Sequence, residues 1–79
     1  MFSSAYVWAK VLIYLEELLT PLMVSAWFDD VEVVELTDTH LILYSPSEFR
    51  RDIIQRRCTA HIQDALKEIF NSDAKLLVF

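Results

Sequence analysis

No glycine occurs anywhere in this chain of 79 residues. Phosphate-cradling loops, the dinucleotide-binding fingerprint and the Gly-x-x-Gly loop of nucleic-acid-binding KH domains all need a residue without Cβ where the backbone meets its ligand. All three are excluded at once. What remains is 54% hydrophobic with a net charge of −5, too apolar for the disordered class and long enough for one domain, residues 1–79, around one core.

A pI near 4.7 argues against a phosphate backbone as the main partner, because counterion release needs clustered Lys and Arg. Cys58 is the single cysteine, so no internal disulfide forms and the thiol points to a reducing compartment, the cytoplasm. The start, Met-Phe-Ser-Ser-Ala, lacks the basic region of a leader. No apolar run approaches the roughly 20 residues of a membrane span.

Trp8, Val11, Leu12, Leu15, Leu18 and Leu19 recur at helical spacing and predict a first helix over 5–19, capped by Ser3 or Ser4. Thr20-Pro21 reads as a stop and restart, and the second helix runs to Phe28, where Asp29 and Asp30 oppose the helix dipole. Residues 31–36 and 40–45 predict a hairpin joined by Thr-Asp-Thr. Ser45 then serves as cap of the third helix, with Pro46 at its first position and Glu48 reaching back; Ser47 is the rival cap. The stripe of that helix takes in Phe49, Ile53, Ile54, Cys58, Ile62, Ala65, Leu66, Ile69 and Phe70, up to the polar turn at Asn71. Residues 75–79 predict a last strand. The fold class is α+β, in the order α-α-β-β-α-β: three helices against a three-stranded sheet, a KH-like topology without its Gly-x-x-Gly loop. The apolar end Leu76-Leu77-Val78-Phe79 reads as a fragment of a longer protein.

This order and several residues resemble the DnaA N-terminal domain family. Its pattern opens with a Trp on helix one and sets a second at the end of helix two, here Trp8 and Trp27. It then has a strand ending in a small residue and proline, followed by a polar residue, a variable one, Phe and a later acid, here Ser45-Pro46-Ser47-Glu48-Phe49 and Asp52. The run from Asp64 to Ile69 is similar to the family's third helix. Departures stand at Val24, where the family has Phe, at Phe28, where it has Ile, and at Asp29 and Asp30, where it has a basic residue and proline. The resemblance implies a domain that self-associates, helps to load the replicative helicase and receives regulatory proteins at the chromosomal origin. The family's ATP-binding and DNA-binding domains would lie downstream of it.

Each candidate residue has two readings. Trp8 is a core aromatic beside Leu12, Leu15 and Leu19, or it overhangs the core and, as the resemblance implies, anchors self-association into a homodimer or larger homo-oligomer together with Tyr6. Tyr6 and Ile13 lie on the side of Lys10 and Glu17, as lone exposed apolar groups or as a widened patch. Trp27 is expected to fill the core between helices and sheet. Phe49 is a core residue by periodicity, whereas the resemblance implies a helicase and regulator contact. Alignment on Trp27 puts Met23 where the family has an acidic contact, so that charge is missing. Arg50, Arg51, Arg56 and Arg57 form a solvated face or a weak contact for single-stranded DNA.

Cys58 and His61 could share a metal, but zinc wants four ligands or three and a water, so a buried structural Cys is the better reading. Glu16-Glu17 and Asp29-Asp30 point about 100° apart on a helix rather than at one substrate. No arrangement of nucleophile, base and carboxylate is recognisable, and no enzyme activity, cofactor or metal is expected. The first reading is therefore a protein-interaction module of replication initiation. The alternative is a single-stranded nucleic-acid binder using the arginines, which steep salt dependence would distinguish.

Overall fold

A computed structural model of the chain describes residues 3–79; Met1 and Phe2, part of the start read for a leader, lie outside the described residues. Helix α1 (Ser4–Leu18) begins on Ser3, whose hydroxyl accepts from the Tyr6 amide at 3.1 Å. Helix α2 (Pro21–Phe28) begins on Thr20, which accepts from the Met23 amide at 3.1 Å, and carries Pro21 at its first position. Strands β1 (Glu32–Leu36) and β2 (His40–Tyr44) form an antiparallel pair. Helix α3 (Glu48–Ile53), a π-helical turn (Ile54–Cys58) and helix α4 (Thr59–Phe70) follow with helical backbone throughout, making the third helix of the predicted order. Strand β3 (Lys75–Val78) closes the sheet parallel to β2, in the order β1-β2-β3.

Without glycine, the chain makes its turns from side-chain oxygens. In the hairpin, Thr37 Oγ1 accepts from the amides of Thr39 (3.2 Å) and His40 (3.0 Å), a local bond that stabilises a turn with ordinary backbone angles. At the end of α4, Asn71 takes the left-handed conformation with φ 53°, the one non-glycine residue in that region among the described residues. Asparagine tolerates that region better than other residues with a Cβ.

Leu41, Leu43 and Leu76 face the helices and meet Val11, Leu15, Phe28, Ile54, Ile62 and Leu66 in the core. Strand β1 keeps both Val33 and Leu36 inward although they lie three apart. A β-bulge sets Val34 and Glu35 opposite Ile42, so the alternation skips one residue. Among the described residues no helix covers the outer face of the sheet: Tyr44, Leu77 and Phe79 are exposed there. At the β3 edge, the outward Leu76 amide donates to Gln63 Oε1 of α4 at 3.2 Å, which blunts the strand for pairing.

Three expectations need correction. The cap of α3 is Ser47, which accepts from the Arg50 amide at 3.2 Å, while Ser45, just past β2, donates its amide to the Phe79 carbonyl at 2.7 Å. Trp27 is half-buried on the rim of the core. Val24 and Phe28, four apart, share the inward face of α2, and Trp27 is turned about 100° from Phe28. The third helix is not regular either. The Thr59 hydroxyl donates to the Gln55 carbonyl at 2.6 Å, the acceptor that an α-helix gives to the Thr59 amide, and the π turn lies over this site.

Candidate interaction surfaces

The expectation that Trp8 overhangs the core is corrected. Its side chain is only 9% exposed and its ring packs tilted against Phe28, with centroids 5.8 Å apart. It shares the inward stripe of α1 with Val11 and Leu15, so the reading from helical spacing prevails over the overhanging one. Tyr6 is exposed, edge-on to Phe70 of α4 at 6.4 Å, with the Lys10 ammonium 5.6 Å from its ring centre. Such a cation–π contact at an exposed site holds the ring in place at small energy. Ile13, two turns further on, is exposed as well. Beside Tyr6 and Phe70 a groove of about 370 Å³ is lined by Val7, Leu36, Leu66 and Phe70 with the polar turn residues Thr37, Asp38 and Ser72. The sequence reading missed this groove, since its walls come from separate elements.

Further exposed apolar side chains stand on α3 and on α2. Phe49 is the second residue of α3 and 74% exposed. The periodic reading placed it in the core, and the reason it fails is a matter of spacing. Phe49 precedes Ile54 by five residues, which turns it about 140° away from the buried stripe. Met23 on α2 is 38% exposed, and its neighbour Leu22, which the sequence reading passed over, is 80% exposed. Leu22 directly follows the proline of the first helical turn, where no core element reaches it.

The backbone under Phe49 is held on both sides. Arg50 Nη1 lies 2.9 Å from Asp30 Oδ2, tying the start of α3 to the residues that follow α2. Arg51 Nη1 donates to the Ser45 carbonyl at 3.1 Å. Glu48, Phe49, Arg51 and Asp52 line a shallow depression at this corner.

The four arginines therefore do different things. Arg50 and Arg51 hold the corner, Arg56 pairs with Asp52 one turn back at 3.0 Å, and only Arg57 makes no ion pair or hydrogen bond through its side chain among the described residues. Next to it, Cys58 is fully buried, and burial raises its thiol pKa while the Arg57 charge pulls the other way. A thiol kept neutral in the core is inert. No group of three or more possible metal ligands gathers among the described residues. No helix among them is long and apolar enough to cross a membrane.

Two further side chains join elements behind these surfaces. Tyr14 of α1 donates to Glu68 Oε2 of α4 at 2.9 Å, and that bond, with burial and the charges of Glu68, Asp64 and Glu17, raises the tyrosine pKa. Lys67 reaches Asp73 at 3.2 Å across the turn into β3.

Comparison with known proteins agrees with this architecture. The family model of the DnaA N-terminal domain matches residues 5–68. The chromosomal replication initiator protein DnaA of Chlorobaculum tepidum is 25% identical over 71 residues, which cover 90% of this chain. The chain spans only 14% of the length of that relative.

Proposed function

The chain belongs to the DnaA N-terminal domain family, and from that membership we propose that it works as a protein-interaction module of a replication initiator. It self-associates through the Tyr6 face of α1 and offers the Phe49 corner to the replicative helicase or to regulatory proteins at the origin. The observation that carries this reading is Phe49 itself. A phenylalanine 74% exposed on a capped helix start, with an ion pair on one side and a backbone hydrogen bond on the other, loses little freedom on binding. Aromatic anchors of that kind dominate interface energetics. Met23 and Leu22 add apolar surface on α2. Contact there is apolar, because the acid that the family resemblance implies is replaced by Met23.

At the other face, Tyr6 and Ile13 supply the exposed apolar groups, while Trp8, on the inward side of α1, packs on Phe28 rather than contacting a partner. The arginines favour the protein reading over single-stranded nucleic acid, since three of the four already hold intramolecular partners and the chain carries a net charge of −5.

The test is Phe49→Ala, assayed for binding to the replicative helicase of the same organism. Affinity should fall by roughly tenfold or more, as for an interface anchor, while the urea midpoint stays near the parent's because an exposed side chain is removed. Helicase binding unchanged by the substitution would remove Phe49 from the interface.

A further inference from the structure

The outer face of the sheet holds an apolar centre with unpaired charges at its corners, and we propose that it docks on the same face of a second copy of this chain. Ile42 and Leu77 are neighbours across β2 and β3, and Tyr44 lies beside Phe79, whose amide and carbonyl bond to Leu43 and Ser45. Phe79 is 60% exposed, and Tyr44 and Leu77 are exposed with it. Val34, pushed outward by the β1 bulge, extends the row.

The charges choose the occupant. Glu32 stands beside Tyr44 at one end of β1, and Lys75 stands beside His40 at the opposite end of β3. They occupy diagonally opposite corners of one rectangular face, and neither makes an ion pair among the described residues. When two such faces meet about a twofold axis lying along the other diagonal, every residue meets the reflection of its position. Glu32 of each copy then comes over Lys75 of the other, in two reciprocal pairs. The strands cross at near right angles, one of the two standard ways in which sheets pack face to face. Glu35 comes over the end of β2 that bears His40, and Phe79 meets its own counterpart close to the axis. The face carries Glu32, Glu35 and Lys75, one net negative charge, so most of the chain's −5 stays away from the contact.

The size of the patch sets the strength. Three strands spaced about 4.8 Å apart and five residues long give a face of about 14 by 16 Å. That is well under the roughly 800 Å² per partner of a standard interface, so the dimer is weak and fills only at high concentration. The face lies on the opposite side of the sheet from the helices, so this contact and the α1 contact use separate surfaces. The proposal rests on the self-association reading above and adds a second surface to it.

The experiment is a dilution series followed by amide NMR shifts and sedimentation, on the parent, Lys75→Glu, Glu32→Lys, an equimolar mixture of those two, and Tyr6→Ala. Both charged residues are exposed, so both charge variants should fold. Shifts at Ile42, Tyr44 and Leu77 should depend on concentration in the parent. Each charge variant alone should self-associate roughly tenfold more weakly, because both reciprocal pairs become like-charge. The mixture should recover the parental affinity: when one copy of each variant meets, one corner pair keeps both native charges, the other has both reversed, and each pair is again of opposite sign. A mixture no tighter than its components, charge variants that behave like the parent, or a parent whose shifts do not change on dilution overturns the proposal. So does saturation of the same amides by an oligothymidylate in a monomeric parent, which would make the face a base-stacking platform. If Tyr6→Ala abolishes association while the charge variants keep it, the α1 reading stands and the sheet proposal falls. If the mixture rescues association and Tyr6→Ala matches the parent, the sheet stands and the α1 reading falls.

Discussion

Single residues decide which aromatic belongs to the fold and which to a partner. Trp8 is buried against Phe28, whereas Trp27 sits half-exposed on the rim. Truncation of a buried tryptophan costs about 3 to 5 kcal/mol, a large share of the stability of a small domain. In urea unfolding, Trp8→Ala should therefore lower the midpoint severely and Trp27→Ala distinctly less; equal losses would mean that Trp27 is as much a core residue as Trp8. Tyr14 reports instead on the joint between α1 and α4. Its bond to Glu68, with burial and nearby acids, raises its pKa above the usual 10.0, so the fold favours the neutral phenol. That stabilisation is present in full below the ordinary value and is lost as pH rises through the raised one. As pH rises through that range the urea midpoint of the parent should fall more steeply than that of Tyr14→Phe, and parallel curves would show the bond to contribute nothing.

Elements explain where sequence reading succeeds. The first two helices announce themselves by a hydroxyl before the first turn, and the structure uses Ser3 and Thr20 as caps. At the third helix two serines compete, and only geometry distinguishes them: Ser47 caps, while the Ser45 hydroxyl is buried with no partner among the described residues. Ser47→Ala should cost about 1 kcal/mol, whereas Ser45→Ala should be close to neutral, since no hydrogen bond of its side chain is lost. Thermal unfolding of the two variants distinguishes the caps, and the reverse order would restore Ser45. The element order and the strands were legible because apolar periodicity and turn residues agree. The π turn was not, because Ile54, Cys58 and Ile62 keep ordinary helical spacing through it and leave no mark in the apolar pattern. Nor was the β1 bulge, although the doubled Val33-Val34 that breaks the alternation was its visible trace. Phe49 was misread because a residue five before the stripe resembles one four before it in a list and differs from it on a helix.

At the scale of the whole molecule, the helices and one sheet face make the core, and the candidate surfaces are whatever that core leaves outside. Family resemblance was legible in two tryptophans and one Ser-Pro-x-x-Phe run; exposure was not, since burial belongs to the assembled layers. The parallel pairing of β2 with β3 also carries a consequence in time. His40 pairs with Lys75 across the whole length of the third helix, and Leu76, a buried core residue, lies on the final strand. A chain emerging from the ribosome at about 5 to 20 residues per second makes its hairpin early, then waits through that entire helix before β2 gains its second neighbour. During those seconds the β2 edge is bare and the core lacks a wall, so the apolar faces of β2 and the third helix stay uncovered until β3 arrives.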